Sequence, residues 1–192
     1  MIMKRLTIWL LAAALVFAMI PAVAVISSAA EPATDVPYIE RSWDAATETV
    51  KETVKTAENC TVVDGGTTAW GSAGETTWYV VSGSLEVSER ITVTGDVRLI
   101  LCDGTTLKAN AGITVSGASN SLTVYGQSKD AAMGALVANA ENVDYSAGIG
   151  GQGEGGSGGT VTINGGVVTA QGGVNGAGIG GGDGGDGGTV TV

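Results

Sequence analysis

From residue 60 onward, short aliphatic stretches alternate with glycine and small polar residues. In Val161-Thr162-Ile163 the aliphatic side chains alternate with threonine, as the two faces of a β-strand require, so we expect Thr162 to point outward. The other predicted strands lie at 60–63, 78–81, 85–87, 90–93, 97–102, 106–109, 112–115, 122–125, 135–138, 147–149, 167–170, 177–179 and 189–192. No helical stretch separates them, so the pattern predicts an all-β domain.

The C-terminal part of the chain contains a tandem repeat, with one unit at 146–175 and the next at 176–192. AGIGG at 147–151 recurs thirty residues later, and GTVT at 159–162 recurs twenty-nine residues later. A period of this length is typical of a solenoid, in which each unit buries its apolar face by stacking on its neighbours. Because the predicted strands also group in threes, residues 60–192 are predicted to form a parallel β-helix with about three short strands per coil.

The first thirty residues have the order of a secretory signal peptide. Lys4 and Arg5 precede an uncharged apolar stretch at 6–20, which is followed by a proline and by small residues. We therefore expect residues 1–30 to be removed on export, which places the mature chain outside the cell without a membrane segment. An uncleaved anchor is the second interpretation, because the apolar run is nearly long enough to span a bilayer.

Residues 31–59 are predicted to form a linker and an N-terminal cap. Ile39, Trp43, Val50 and Val54 have a spacing that suits a helix. The many β-branched residues of the same segment favour a strand, and we predict extended structure. Its position before the first coil suggests a cover for the unpaired backbone at that end of the solenoid.

The composition excludes several kinds of function. The chain has nineteen acidic and nine basic residues, two of them in the leader, so the mature chain carries a net charge of −12. Nucleic acid is therefore excluded as a partner, because phosphate binding needs clustered cations. Histidine is absent, which removes the usual general base and metal ligand. Cys60 and Cys102 lack metal-ligand spacing, and either a disulfide or two free thiols is compatible with export.

Several stretches resemble a family of secreted repeat proteins. Residues 90–104 and the AGIGG and GGTVTINGG units are the most specific, and the similarity covers roughly Tyr38 to Val192. The family comprises cell-surface β-helix proteins of Gram-positive gut bacteria, often labelled carbohydrate-binding-domain proteins. The resemblance implies a right-handed parallel β-helix, export and a surface or adhesive role, and it assigns no functional residues.

Family members typically continue through further repeats and modules. This chain stops partway through a unit and without a closing cap, so we expect it to be truncated at its C-terminal end, with downstream repeats or modules missing.

Carbohydrate binding would use exposed aromatic side chains beside polar groups. The candidates are Trp70, Trp78, Tyr79 and Tyr125. Trp70 lies in a Gly/Thr-rich stretch that predicts an exposed turn, whereas Trp78 and Tyr125 occupy strand positions that also suit packing. The expected partner is an extracellular or cell-wall polysaccharide.

Calcium is the one cofactor that the acidic loops suggest. Alignment of the two glycine-rich units places Glu154 over Asp183, and Ser157 over Asp186. The stretch 181–186 also matches half of a calcium-binding nonapeptide repeat. The predicted metal residues are thus Glu154, Asp183 and Asp186, and a solvated loop is the alternative interpretation.

These features predict an exported β-solenoid with a structural or adhesive role, of which carbohydrate binding is one form. The alternatives are a calcium-binding repeat module and a polysaccharide-acting enzyme of the lyase type. A lyase needs a base and cations at the developing negative charge. Arg90, Arg98 and Lys108 are joined to no acidic motif, so we predict no catalytic residues and no enzyme activity in this segment.

Overall fold

The computed structural model describes residues 32–129 and 132–192, so the signal peptide predicted at 1–30 lies outside the described residues. The described residues contain no helix and form seventeen β-strands. In chain order they are β1 (Val36–Asp44), β2 (Thr49–Ala57), β3 (Thr61–Val62), β4 (Ala69–Trp70), β5 (Thr76–Val81), β6 (Leu85–Val87), β7 (Ile91–Val93), β8 (Asp96–Leu101), β9 (Thr106–Ala109), β10 (Ile113–Thr114), β11 (Ser121–Gly126), β12 (Ala135–Asn139), β13 (Ile149–Gly150), β14 (Thr160–Ile163), β15 (Val167–Gln171), β16 (Ile179–Gly180) and β17 (Thr189–Thr191).

Strands β3 to β17 form three parallel sheets. Sheet 1 has the order β17-β14-β11-β8-β5-β3, sheet 2 the order β16-β13-β10-β7-β4, and sheet 3 the order β15-β12-β9-β6. From β6 onward, successive strands enter sheets 3, 2 and 1 in rotation. This all-β architecture of short parallel strands is compatible with the predicted β-solenoid.

The register of the sheets follows the sequence repeat. In sheet 2 the isoleucines Ile91, Ile113, Ile149 and Ile179 lie opposite one another on successive strands. In sheet 1 Val161 pairs with Val190, which is the twenty-nine-residue step seen in the sequence. Parallel in-register pairing places like side chains above one another, so each aliphatic position continues as a column through the core.

Successive residues along each strand of sheet 1 point to opposite faces of the sheet. The inward residues, such as Leu99 and Leu122, pack with residues of the other two sheets in one fully buried core. The outward residues of β5, β8 and β11 include Val80, Ile100 and Tyr125, which are also buried, in a second cluster. The outer face of sheet 1 is therefore covered by another element.

That element is the antiparallel hairpin of β1 and β2. Val36, Tyr38 and Ala57 of the hairpin belong to the second cluster, and the hairpin reaches Asn164, just after β14. The extended structure predicted here is present. However, the hairpin lies along the outer face of sheet 1, whereas we expected a cover over the end of the first coil. The physical reason is that Val36, Tyr38 and Ala57 find apolar partners in Val80, Ile100 and Tyr125 on that face.

The partly buried side chain of Arg90, just before β7, links neighbouring turns of the chain beside sheet 2. The Arg90 guanidinium donates hydrogen bonds to the Thr114 hydroxyl oxygen at 2.7 Å, the Ala111 carbonyl at 2.7 Å and the Ala147 carbonyl at 2.9 Å. Its burial lowers the pKa of Arg90 to about 10, so the group remains charged at neutral pH. Arg90 thus satisfies backbone carbonyls at a corner of the stack.

Gly150 is a position where the stack requires glycine. Its φ is +135°, and a Cβ there would collide with the carbonyl oxygen of Gly180 on the next strand. We expect Gly150→Ala to lower the free energy of unfolding by about 2 to 4 kcal/mol, because it combines backbone strain with overpacking. Urea denaturation of the two proteins measures the difference.

Gly83→Ala is the matched control, because a Cβ at Gly83 meets no atom within 4 Å. This variant should keep its stability to within about 0.5 kcal/mol. Equal losses in the two variants would contradict the close approach of Gly150 to the next strand.

Candidate functional site

The structure places Trp70 in the core and not in an exposed turn. The side chain is fully buried, its ring stacks on Tyr79 with centroids 5.1 Å apart, and its Nε1 donates to the Thr67 carbonyl at 3.0 Å. Trp70 belongs to β4, the edge strand of sheet 2, so its indole fills the N-terminal end of the core. The expectation of an exposed Trp70 is wrong, because the local Gly/Thr composition does not reveal the apolar volume that needs filling there.

Trp78 and Tyr125 attach the hairpin to sheet 1. Tyr38 of β1 contacts both rings, with centroid distances of 5.0 Å to Trp78 and 4.7 Å to Tyr125. The Arg98 guanidinium lies 5.3 Å from the centroid of the Trp78 ring. These contacts occupy faces that a sugar ring would need, as the packing interpretation of the two residues predicts.

The acidic loops of the two glycine-rich units lie beside each other, as the alignment predicts. Gly155 donates its N–H to the Asp183 carbonyl at 2.7 Å, and Gly158 donates to the Asp186 carbonyl at 2.8 Å. Over 32–129 and 132–192, no group of three His, Cys, Asp or Glu side chains is placed to hold a metal ion. Backbone hydrogen bonds therefore connect the loop that contains Glu154 with Asp183 and Asp186, and calcium binding by these residues stays a prediction.

The cations considered for a lyase are held by local partners. Arg98 pairs with Asp96 at 3.1 Å, and Lys108 pairs with Glu86 at 2.6 Å. Arg90 is held by the carbonyl groups described above. None of the three is brought into the cleft described next.

A cleft with a volume of about 310 Å³ lies between the tip of the hairpin and the last strands of sheet 1. One wall consists of hairpin residues and the other of residues in and after β14 and β17. Together they are Arg41, Ser42, Trp43, Val50, Thr162, Ile163, Asn164, Thr191 and Val192. A second cavity of about 340 Å³, beside Asp186 and Ser157, is lined by glycine, alanine and hydroxyl residues and contains no aromatic side chain.

Trp43 is the one aromatic residue among the described residues that line the cleft. Its side chain is 64% exposed, and the neighbouring Val50, its partner across the hairpin, is 56% exposed. Large exposed apolar side chains that adjoin one another at a concave surface commonly mark a binding site. The sequence does not single out Trp43, because the apolar residues of 31–59 fit both a helix and a strand and do not show which side chains stay exposed. The turn at 45–48, where Ala46 donates to the Asp44 carboxylate at 2.9 Å, is the local signal that identifies a hairpin.

Arg41 and Asn164 fix the hairpin wall against the sheet. The Arg41 N–H donates to Asn164 Oδ1 at 2.6 Å, and Arg41 Nη1 donates to the Asn164 carbonyl at 2.7 Å. Arg41 Nε also pairs with Glu52 at 3.0 Å, and Glu52 accepts from Lys129 at 3.0 Å. The hydrogen bond from Lys129, and then that from Arg41, lowers the pKa of Glu52. The one charged side chain in the lining is therefore already neutralised.

Threonine hydroxyls form the opposite wall. Thr162 of β14 and Thr191 of β17 are paired in register, and Thr123 of β11 continues the same column. Such residues repeat at the strand spacing of about 4.8 Å and can donate and accept hydrogen bonds. The opposite wall also contains Ile163 and Val192, and the Asn164 amide is hydrogen-bonded to the Arg41 backbone through both its oxygen and its nitrogen. The cleft is therefore largely apolar with a few hydroxyl groups, which suits noncovalent binding of a ligand with a flat apolar face.

No protein-family model, curated protein or solved structure matches the chain. Its likeness to secreted repeat proteins therefore rests on its sequence motifs.

Among the described residues, no helix is long and apolar enough to cross a membrane.

The ion pairs of Glu52 predict that hairpin docking depends on pH. Because the pKa of Glu52 is lowered in the folded state, its contribution is full above the ordinary Glu pKa of 4.5 and is lost as pH falls through the lower folded value. The wild type should melt at a higher temperature than Glu52→Gln at pH 7, and this gap should shrink progressively as the pH is lowered below 4.5.

The control for that comparison is Glu48→Gln, on the same hairpin. Glu48 forms no ion pair within the described part of the chain. Its substitution should leave the melting temperature nearly unchanged at either pH. A gap for Glu52→Gln that persists at low pH would contradict the ionic mechanism.

Cys60 and Cys102 are free thiols in the structure and do not form the disulfide that was one of the two alternatives. Burial, with a smaller effect from Glu58, raises the pKa of Cys60 to about 11, and burial also raises the pKa of Cys102. We expect both thiols to react with a disulfide reagent more than about tenfold slower in the folded chain than in urea at pH 8. Release of no thiol in urea would instead indicate a disulfide, and Cys102→Ser serves as the one-thiol control.

Proposed function

We propose that the chain is an exported, non-catalytic, right-handed parallel β-helix with three strands per turn, and that it has a structural and adhesive role at a bacterial cell surface. The sequence of residues 1–30 supports export, and the net charge of −12 suits an extracellular environment. The rotation of successive strands among three sheets supports the coil geometry. The motifs at 90–104 and in the glycine-rich units support membership of the secreted repeat family.

The adhesive function proposed for this solenoid is carbohydrate binding in the hairpin cleft. One observation carries it: Trp43 is 64% exposed and faces a cleft that also contains Asn164 and two in-register threonines. An indole can stack on the apolar face of a sugar ring while hydroxyl and amide groups bind the sugar hydroxyls. The hydrogen bonds between Arg41 and Asn164 would hold the two walls at a constant separation.

We expect the mature chain to bind at least one polysaccharide on a glycan array, and Trp43→Ala to reduce that binding at least about tenfold, because loss of a central aromatic anchor commonly removes more than 1.4 kcal/mol. The exposure of Trp43 means that the variant should remain folded, which circular dichroism verifies.

Tyr145→Asn is the matched control. Tyr145 is also an exposed aromatic residue, its φ is +61°, which asparagine tolerates, and it does not line the cleft. Equal binding by wild type and Trp43→Ala would contradict the proposed site. Release of soluble oligosaccharide from a bound polymer would favour a polysaccharide-acting enzyme.

A further inference from the structure

Strand β1 of the hairpin runs along the direction in which the strands of sheet 1 stack. On the hairpin side, β1 advances from Tyr38, which contacts the rings of β5 and β11, to Arg41 at Asn164 and then to Trp43 beside the end of β17. Its nine residues therefore cross several strands of sheet 1.

The polar wall is periodic along that same axis. Thr162 and Thr191 occupy equivalent outward positions on adjacent strands, and a second outward column on the same strands contains Thr160 and Thr189. Each column repeats at the strand spacing of about 4.8 Å. A ligand that uses successive threonines must itself present hydrogen-bonding groups at nearly this interval.

An extended β-1,4-linked pyranose chain meets this requirement. Its sugars are arranged almost linearly. Each sugar lengthens the chain by about the distance between paired strands, which is roughly 4.8 Å. Equatorial hydroxyls point sideways and leave the ring faces apolar, which suits the Trp43 indole. An α-1,4-linked chain curves away from a straight row of hydroxyls and cannot keep contact with successive strands.

The charges of the site select a neutral polymer. Arg41 is the one ionisable side chain in the lining, and its guanidinium pairs with Glu52 and donates to Asn164. A polyanion would therefore find no free cation in the cleft, and the net charge of −12 on the mature chain would repel it.

Building on the proposed function, we propose that the hairpin cleft binds a neutral, extended β-1,4-linked polysaccharide that lies along the stacking direction. Trp43 stacks on one sugar, and Thr162 and Thr191 contact the hydroxyls of successive sugars. The hairpin supplies the apolar wall, and the columns of sheet 1 supply the spacing.

Isothermal titration calorimetry of the mature chain tests this with cellohexaose, cellobiose, maltohexaose and hexagalacturonate. Cellohexaose should bind at least tenfold more tightly than the other three ligands, and Trp43→Ala should lose at least tenfold in affinity. Thr162→Val should weaken cellohexaose binding several-fold. Thr169→Val, at an exposed position of β15 in sheet 3 away from the cleft, should leave it unchanged.

The outcomes separate this inference from the function on which it rests. If maltohexaose or hexagalacturonate binds as tightly as cellohexaose or more tightly, and this binding depends on Trp43, the proposed preference for a neutral β-1,4-linked ligand is wrong. Carbohydrate binding in the cleft would still hold. Equal affinity for cellobiose and cellohexaose would overturn the alignment along the stack. Absence of binding by these ligands and by every glycan on the array would overturn both proposals.

Discussion

In-register pairing between successive parallel strands is the interaction on which the rest of the molecule depends. Each strand is too short to bury its own apolar side chains, so its burial comes from the strands on either side. Val161 and Val190 show the effect directly: they occupy the same column, and Val161, covered on both sides, is 2% exposed whereas Val190 on the edge strand is 43% exposed. Stacking therefore creates both the core and the regular outer faces.

The hairpin adds a second wall beside the outer face of sheet 1, so that the two together form the cleft. Sheet 1 by itself presents columns of side chains on a single surface. Because Tyr38 packs on Trp78 and Tyr125 while Arg41 is fixed at Asn164, β1 stands beside the hydroxyl columns at a constant position. Trp78 and Tyr125, two of the aromatic residues considered for ligand binding, thus support the hairpin that carries the exposed Trp43.

Much of the parallel body was predictable, because its signal is local. Period-two alternation identifies strands such as 97–102, and the recurrence of isoleucine and valine at thirty and twenty-nine residues predicts which strands pair. The candidate site was not predictable in this way. Trp70 lies among glycine, threonine and alanine, and Trp43 among serine, aspartate and alanine, yet Trp70 fills the core and Trp43 is exposed. Their difference arises from which distant strands surround them.

The sequence by itself determined the all-β class, the register of the glycine-rich repeats, the acidity and the absence of histidine chemistry, because composition and period are properties of the chain alone. The tertiary structure decided where the hairpin lies, which tryptophan is accessible, and that the stacked acidic loops bring no three carboxylates of the described residues together. The physical reason is that burial and side-chain convergence depend on contacts between residues far apart in sequence, such as Arg41 and Asn164, which no local pattern encodes.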